Sequence, residues 1–232
     1  MAKLKMPKGS PTIDMTPMVD LAFLLVTFFM LAATFRSEEL VTVTIPSSIG
    51  EEEIPEKTLV QVTITDGGQV FFSCAGDTNR RMVLREVMKN FNQKPTPEME
   101  NEFAKSGNIG CSVSFLPKFL SMSSEERKAM SAAAEEAIPM DTTKGTNELK
   151  LWLKAANEVM NANGQKQFND ATALQAKNAA ALDPFDFKPR FVIKVSGEAE
   201  YVRTKVVIET FRDLKLNNLN FITSQEAKPV TQ

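Results

Sequence analysis

The sequence predicts an α+β chain: one N-terminal membrane helix, then a small sheet-and-helix domain that a large helical insertion interrupts. Three observations predict this. Residues 18–35 are apolar apart from Asp20 and, with their N-terminal flank, long enough to cross a bilayer. Short segments at 40–46, 58–65, 69–73, 191–195 and 219–222 have the polarity and β-branched content of strands. Between them lies a stretch rich in Ala, Glu and Lys, which favours helix.

The apolar run reads MVDLAFLLVTFFMLAATF. A span needs about 20 apolar residues, and residues 13–17 extend the run backward. One Asp at a helix centre costs roughly 2.5–3.5 kcal/mol on insertion, against about 0.3–0.6 kcal/mol gained per Leu, Ile, Phe or Val. The run therefore carries its one carboxylate. Lys3, Lys5 and Lys8 precede it; Arg36, Glu38 and Glu39 follow. The positive-inside rule places the N-terminus in the cytoplasm and everything beyond about residue 36 outside. A cleaved signal peptide competes with this reading. Asp14, Asp20 and Pro17 disfavour it, as does Met30 or Leu31 at the outer position of the cleavage pattern. A retained anchor with an incidental Asp is the blander alternative.

The register of the polar residues argues against an incidental Asp. Thr16, Asp20, Thr27 and Thr34 fall on one face at about 3.6 residues per turn, with Leu21, Phe23, Leu25, Phe28 and Phe29 assigned to the others. A polar stripe in a membrane helix must face protein or water. The chain should therefore associate within the membrane. Pro17 has two readings. Thr16 caps the helix and Pro17 takes its first position, or the helix begins near residue 10 and Pro17 kinks it.

In the remainder, 58–65 and 69–73 flank Asp66, Gly67 and Gly68, a hairpin signal. Residues 79–91 and 199–213 have helical apolar periodicity. In the middle, 122–137, 146–162 and 171–181 favour helix. They form either a solvated arm that binds a partner or an insertion that only pads the domain. The chain has 232 residues, a net charge of −2 and no His, so nothing points to nucleic acid, His-based catalysis or the usual zinc sites. It carries no phosphate loop, nucleophile elbow or metal-ligand cluster, and no cofactor, metal or enzymatic activity is expected. Cys74 and Cys111 form one bridge in an oxidising compartment, or remain two buried thiols; both readings stand.

Residues 12–35, TIDMTPMVDLAFLLVTFFMLAATF, resemble the N-terminal segment of the ExbD/TolR family of biopolymer-transport subunits. Ile13, Pro17, Asp20, Phe29, Met30 and Ala33 fall on its pattern of proline, aspartate and an apolar span ending in Phe-Met-x-x-Ala. Residues 41–46 look like the family's following strand, with Ile45 in place of the usual Leu before Pro46. Residues 58–73 look like its hairpin and 191–224 like its terminal strand–helix–strand; about 93–186 have no counterpart.

The resemblance implies a proton-driven inner-membrane motor subunit, single-pass, that powers outer-membrane transport or envelope maintenance. Asp20 is its proton carrier. Its implied partners are a second copy, a multi-span ring similar to ExbB or TolQ, and a transducer similar to TonB or TolA; peptidoglycan stays open. Val41, Val43, Ile45 and Pro46 are the candidate strand for addition to a partner's sheet. The expected organisation is a cytoplasmic tail (1–11), membrane helix (12–35) and strand with linker (36–57). A periplasmic domain follows in two parts (58–92 and 187–226), separated by the insertion (93–186) and ending in a tail (227–232). A membrane-anchored periplasmic binding module without proton conduction is the rival.

Overall fold

Where β-branched residues dominate, the chain forms strands; where Ala, Glu, Lys and Leu recur with helical period, it forms helices. The computed structural model describes residues 15–32, 41, 43–45, 47–48, 56–132, 137–141, 146–174, 187–216, 218–222 and 224–225. They belong to two compact units, residues 1–36 and 37–232. The first holds α1 (Thr16–Ala32). The second begins with β1 (Ser47–Ser48), β2 (Leu59–Ile64), β3 (Val70–Cys74), α2 (Asp77–Asn90), α3 (Pro97–Lys105), α4 (Leu116–Ser121) and α5 (Ser124–Ala132). It continues with β4 (Met140–Asp141), β5 (Thr146–Asn147), α6 (Glu148–Leu174), β6 (Arg190–Val195), α7 (Tyr201–Asp213), β7 (Leu219–Ile222) and β8 (Ser224–Gln225).

The hairpin forms as its turn residues demand. Gly68 takes φ +74, a left-handed conformation that favours glycine, and its N–H donates to the Thr65 carbonyl at 2.9 Å. β2 and β3 then pair antiparallel, with Val62 opposite Phe72. β6 joins the other edge of β2 in parallel, and β7 pairs parallel with β6, giving the order β3-β2-β6-β7. Two parallel partners need a crossover connection. Between β2 and β6 the crossover includes the whole helical insertion; between β6 and β7 it is α7.

The middle of the sheet is buried on both faces, while β7 stays partly exposed. Val60, Val62, Ile64, Phe72 and Ile193 belong to the main core with the helices, while Thr63, Phe71 and Val192 on the alternate face are also buried. Gly110 explains part of that second cover. A Cβ there would lie 2.2 Å from the Phe71 ring, so only glycine lets the chain pass so close. The bridge from Phe72 to Ile109 brings it there.

The insertion is packed, not solvated. α6 buries Leu149, Trp152, Leu153, Ala156 and Met160 in the same core as the sheet. Trp152 stacks on Phe103 with ring centroids 5.6 Å apart and planes 7° apart, and meets Phe72 at 5.4 Å. Polar ties repeat the theme. Arg80, buried on α2, donates to the carbonyls of Cys74 and Ala104, both at 2.7 Å. The Asn147 amide donates to Thr210 Oγ1 at 2.9 Å. The arm reading is thereby corrected for the described part of the segment.

Several expectations shift. No described residue in 41–45 belongs to a strand; the short ladder near there is β1 with β8, Ser47 opposite Ser224 and Ser48 opposite Gln225. The expected helix at 171–181 is, up to Leu174, the end of α6, and 175–181 lie outside the described residues. Cys74 and Cys111 are free and buried. Burial pushes the Cys74 thiol up to about 12, against a smaller lowering by Arg80.

Candidate functional site

The helix that carries Asp20 begins just ahead of it. Val19 N–H donates to the Met15 carbonyl at 3.0 Å, so Met15 occupies the cap position and Pro17 lies in the first turn. Proline costs little there, because the first-turn N–H groups have no partner within the helix. The start is thus one residue earlier than a Thr16 cap, and Pro17 does not interrupt the described helix. Residues 1–14 lie outside the described residues.

Asp20 is the only ionisable residue of α1. Around it, apolar side chains stand exposed on every side, including Leu21 at 65%, Phe28 at 65% and Leu31 at 89%. A helix that is apolar all round is at home in lipid or in a protein core, not in water. Taking about 100° per residue from Thr16, Asp20 lies near 40° and Thr27 near 20°. Thr34 belongs to the same sector by sequence but lies outside the described residues. Phe23, at about −20°, interrupts the stripe between Asp20 and Thr27, a correction to its placement on another face. Thr27 Oγ1 donates its proton to the Leu24 carbonyl at 2.9 Å. It therefore presents an acceptor outward, suited to a protonated carboxyl more than to a carboxylate.

Among the described residues, no helix is long and apolar enough to cross a membrane. α1 has 17 residues, about 25 Å at 1.5 Å per residue, against a hydrocarbon core of about 30 Å. Residues 12–14 and 33–35, which the expected span also includes, lie outside the described residues.

The candidate partner strand is anchored in the second unit. Val43 is buried. The Thr44 carbonyl accepts from Gly197 N–H at 3.0 Å and from Ser196 Oγ at 3.3 Å. Ser196 Oγ also contacts Asp66 Oδ1. Val41 and Ile45 are half-buried, and Pro46 lies outside the described residues. The Thr44–Ser196–Asp66 clasp escaped sequence reasoning. Its members are separated by 130 and 152 residues, and no local pattern announces it.

The family model described as biopolymer transport protein ExbD/TolR matches residues 6–106. Over these residues, fewer than half of the chain, the chain is similar to the ExbD/TolR family. No curated protein and no solved structure matches the chain. The ExbD/TolR match includes α1 with Asp20 and Pro17, the β2–β3 hairpin, α2 and α3. It thus reaches past residue 92, to residue 106. The β6–α7–β7 unit lies beyond the match, although the sheet joins it directly to the family hairpin.

Proposed function

We propose that this ExbD/TolR-family chain is a non-enzymatic inner-membrane motor subunit. It couples the proton motive force to energised outer-membrane transport or envelope maintenance, and Asp20 is the residue that takes up and releases the proton. One observation carries the proposal: a single carboxylate in an otherwise apolar, exposed helix, inside the matched family region.

Magnitudes favour a helix that inserts but needs company. Nine Leu, Phe and Val residues of α1 contribute about 3–5 kcal/mol on insertion scales, and a central Asp costs about 2.5–3.5 kcal/mol. The near balance is tipped by Asp20's position toward one end and by polar partners, as expected of intramembrane carboxylates. By family, those partners are a second copy and a ring similar to ExbB or TolQ, with the domain beyond residue 36 in the periplasm acting on a transducer similar to TonB or TolA. One elementary charge moved through 100 mV is worth about 2.3 kcal/mol. The drive is thus large enough to switch a carboxylate between charged and neutral forms.

Asp20→Asn tests this. It keeps the shape and removes the proton exchange, so energised uptake or envelope integrity should be lost at normal protein levels. Undiminished function in the variant sinks the proposal. If a neutral apolar anchor also replaces α1 without loss, the chain is an anchored binding module instead.

A further inference from the structure

Beyond Asp20, α1 carries one polar side chain, Thr27; the rest of that stretch is Leu, Ala, Phe, Val and Met. Asp20 lies in the second turn of the helix, and Ala32 ends it. A proton that reaches Asp20 from the Ala32 end therefore passes about 18 Å of helix at 1.5 Å per residue. Thr27 stands along that length, about 10.5 Å from the level of Asp20. The two residues lie within about 20° of each other around the axis, so one crevice beside the helix meets both. Phe23, 67% exposed, stands between their levels. The hydroxyl and the carboxylate are thus too far apart to bond directly, and a path between them needs water.

The Thr27 hydroxyl has a fixed polarity. Its proton goes to the Leu24 carbonyl at 2.9 Å, so it offers only lone pairs to what lies beside the helix. A water that donates one proton to those lone pairs keeps its second proton to give and its own lone pairs to receive. Such a water accepts a proton on its outer side as it releases one toward Asp20. No charge stays on Thr27, and the hydroxyl itself exchanges nothing. Apolar walls alone favour a dry gap over a water-filled one.

We infer that Thr27 is a positioning residue for proton delivery: it holds and orients the water through which protons reach Asp20 from the side where α1 ends. The inference rests on the reading of α1 as a membrane helix with Asp20 as proton carrier, and it adds the route of supply.

The test reconstitutes the full chain in liposomes with the multi-span subunits that co-purify with it. An imposed pH difference drives proton entry, read by a pH-sensitive dye inside. Thr27→Val keeps the shape and removes the acceptor, so entry should slow about three- to tenfold, the kinetic scale of one lost hydrogen bond. Thr27→Ser restores an acceptor on the same carbon and should stay within about twofold of the parent. Both variants should co-purify the same subunits in the same amount. Asp20→Asn is the reference and should abolish entry. Unimpaired entry in Asp20→Asn refutes the proton-carrier reading beneath the inference. No entry in Asp20→Asn with unimpaired entry in Thr27→Val refutes the inference alone. Equal slowing by Val and Ser also overturns it, because packing of the methyl and not the hydroxyl would then be at work. Loss of the co-purifying subunits in Thr27→Val does the same, since Thr27 would then be an assembly contact.

Discussion

Trp152→Ala is the sharpest probe of whether the inserted helices belong to the core. The indole is fully buried, stacked on Phe103 at 5.6 Å and packed against Phe72 at 5.4 Å. Removing a buried Trp costs about 3–5 kcal/mol through lost transfer and the cavity left behind. Two aromatic pairs, each worth about 0.5–1.5 kcal/mol beyond area, push the figure toward the upper end. One term opposes this. The indole Nε1 finds no acceptor among the described residues, and an unpaired buried donor costs about 1–3 kcal/mol. The net loss is about 3–4 kcal/mol. Trp152→Phe separates the terms, because it keeps a ring in the stack and removes the unpaired N–H. Its smaller cavity is largely offset, and the loss should stay within about 1 kcal/mol. Urea unfolding of the detergent-solubilised chain, followed by far-ultraviolet circular dichroism, reads both variants without relying on tryptophan emission. A loss below about 1 kcal/mol for Trp152→Ala would refute the packed insertion. Equal losses for the two variants would refute the unpaired N–H.

Other outcomes follow from single contacts. Gly164→Ala places a Cβ 1.9 Å from the Phe187 carbonyl oxygen, so it should destabilise by about 1–3 kcal/mol through overpacking, despite the better helix propensity of Ala; thermal denaturation that shows a rise in melting temperature contradicts the close approach. Cys74 titrates near 9 when unfolded and about 12 when buried. The unfolded chain therefore releases this proton first, and the stability that the neutral thiol contributes is complete below pH 9 and drains away between about 9 and 12. Each pH unit in that window is worth about 1.36 kcal/mol. Cys74→Ala should flatten this part of the alkaline slope in parallel denaturant titrations of the two proteins; identical slopes would count against the buried thiol.

Local chemistry made much of the fold legible in advance. The hairpin follows from β-branched runs around Asp66, Gly67 and Gly68, and β2 and β3 form where those runs lie. The periodicity of 79–91 and 199–213 foretells α2 and α7 to within two residues at each end. α3 carries local start signals as well. Thr96 accepts the Met99 N–H at 3.3 Å, and Pro97 follows in the first helical position, both standard helix-start signals. The apolar run with its one Asp is wholly a property of local sequence, because a helix satisfies its backbone within itself and its character is the sum of its side chains.

Tertiary packing decided the rest. The helical composition of the middle segment suits a solvated arm as well as a core element, and Trp152 chooses between them only by meeting Phe72 and Phe103 from distant parts of the chain. Cys74 and Cys111 leave a bridge or two buried thiols open on paper, and the fold holds both as free thiols in the core. The alternating polarity of 40–46 promises a strand, yet the carbonyl of Thr44 accepts from Gly197 and Ser196, and among the described residues the strand pairing near there is that of Ser47 and Ser48. Local sequence encodes what each segment can form on its own; which alternative wins depends on contacts whose free energy exists only once distant segments have met.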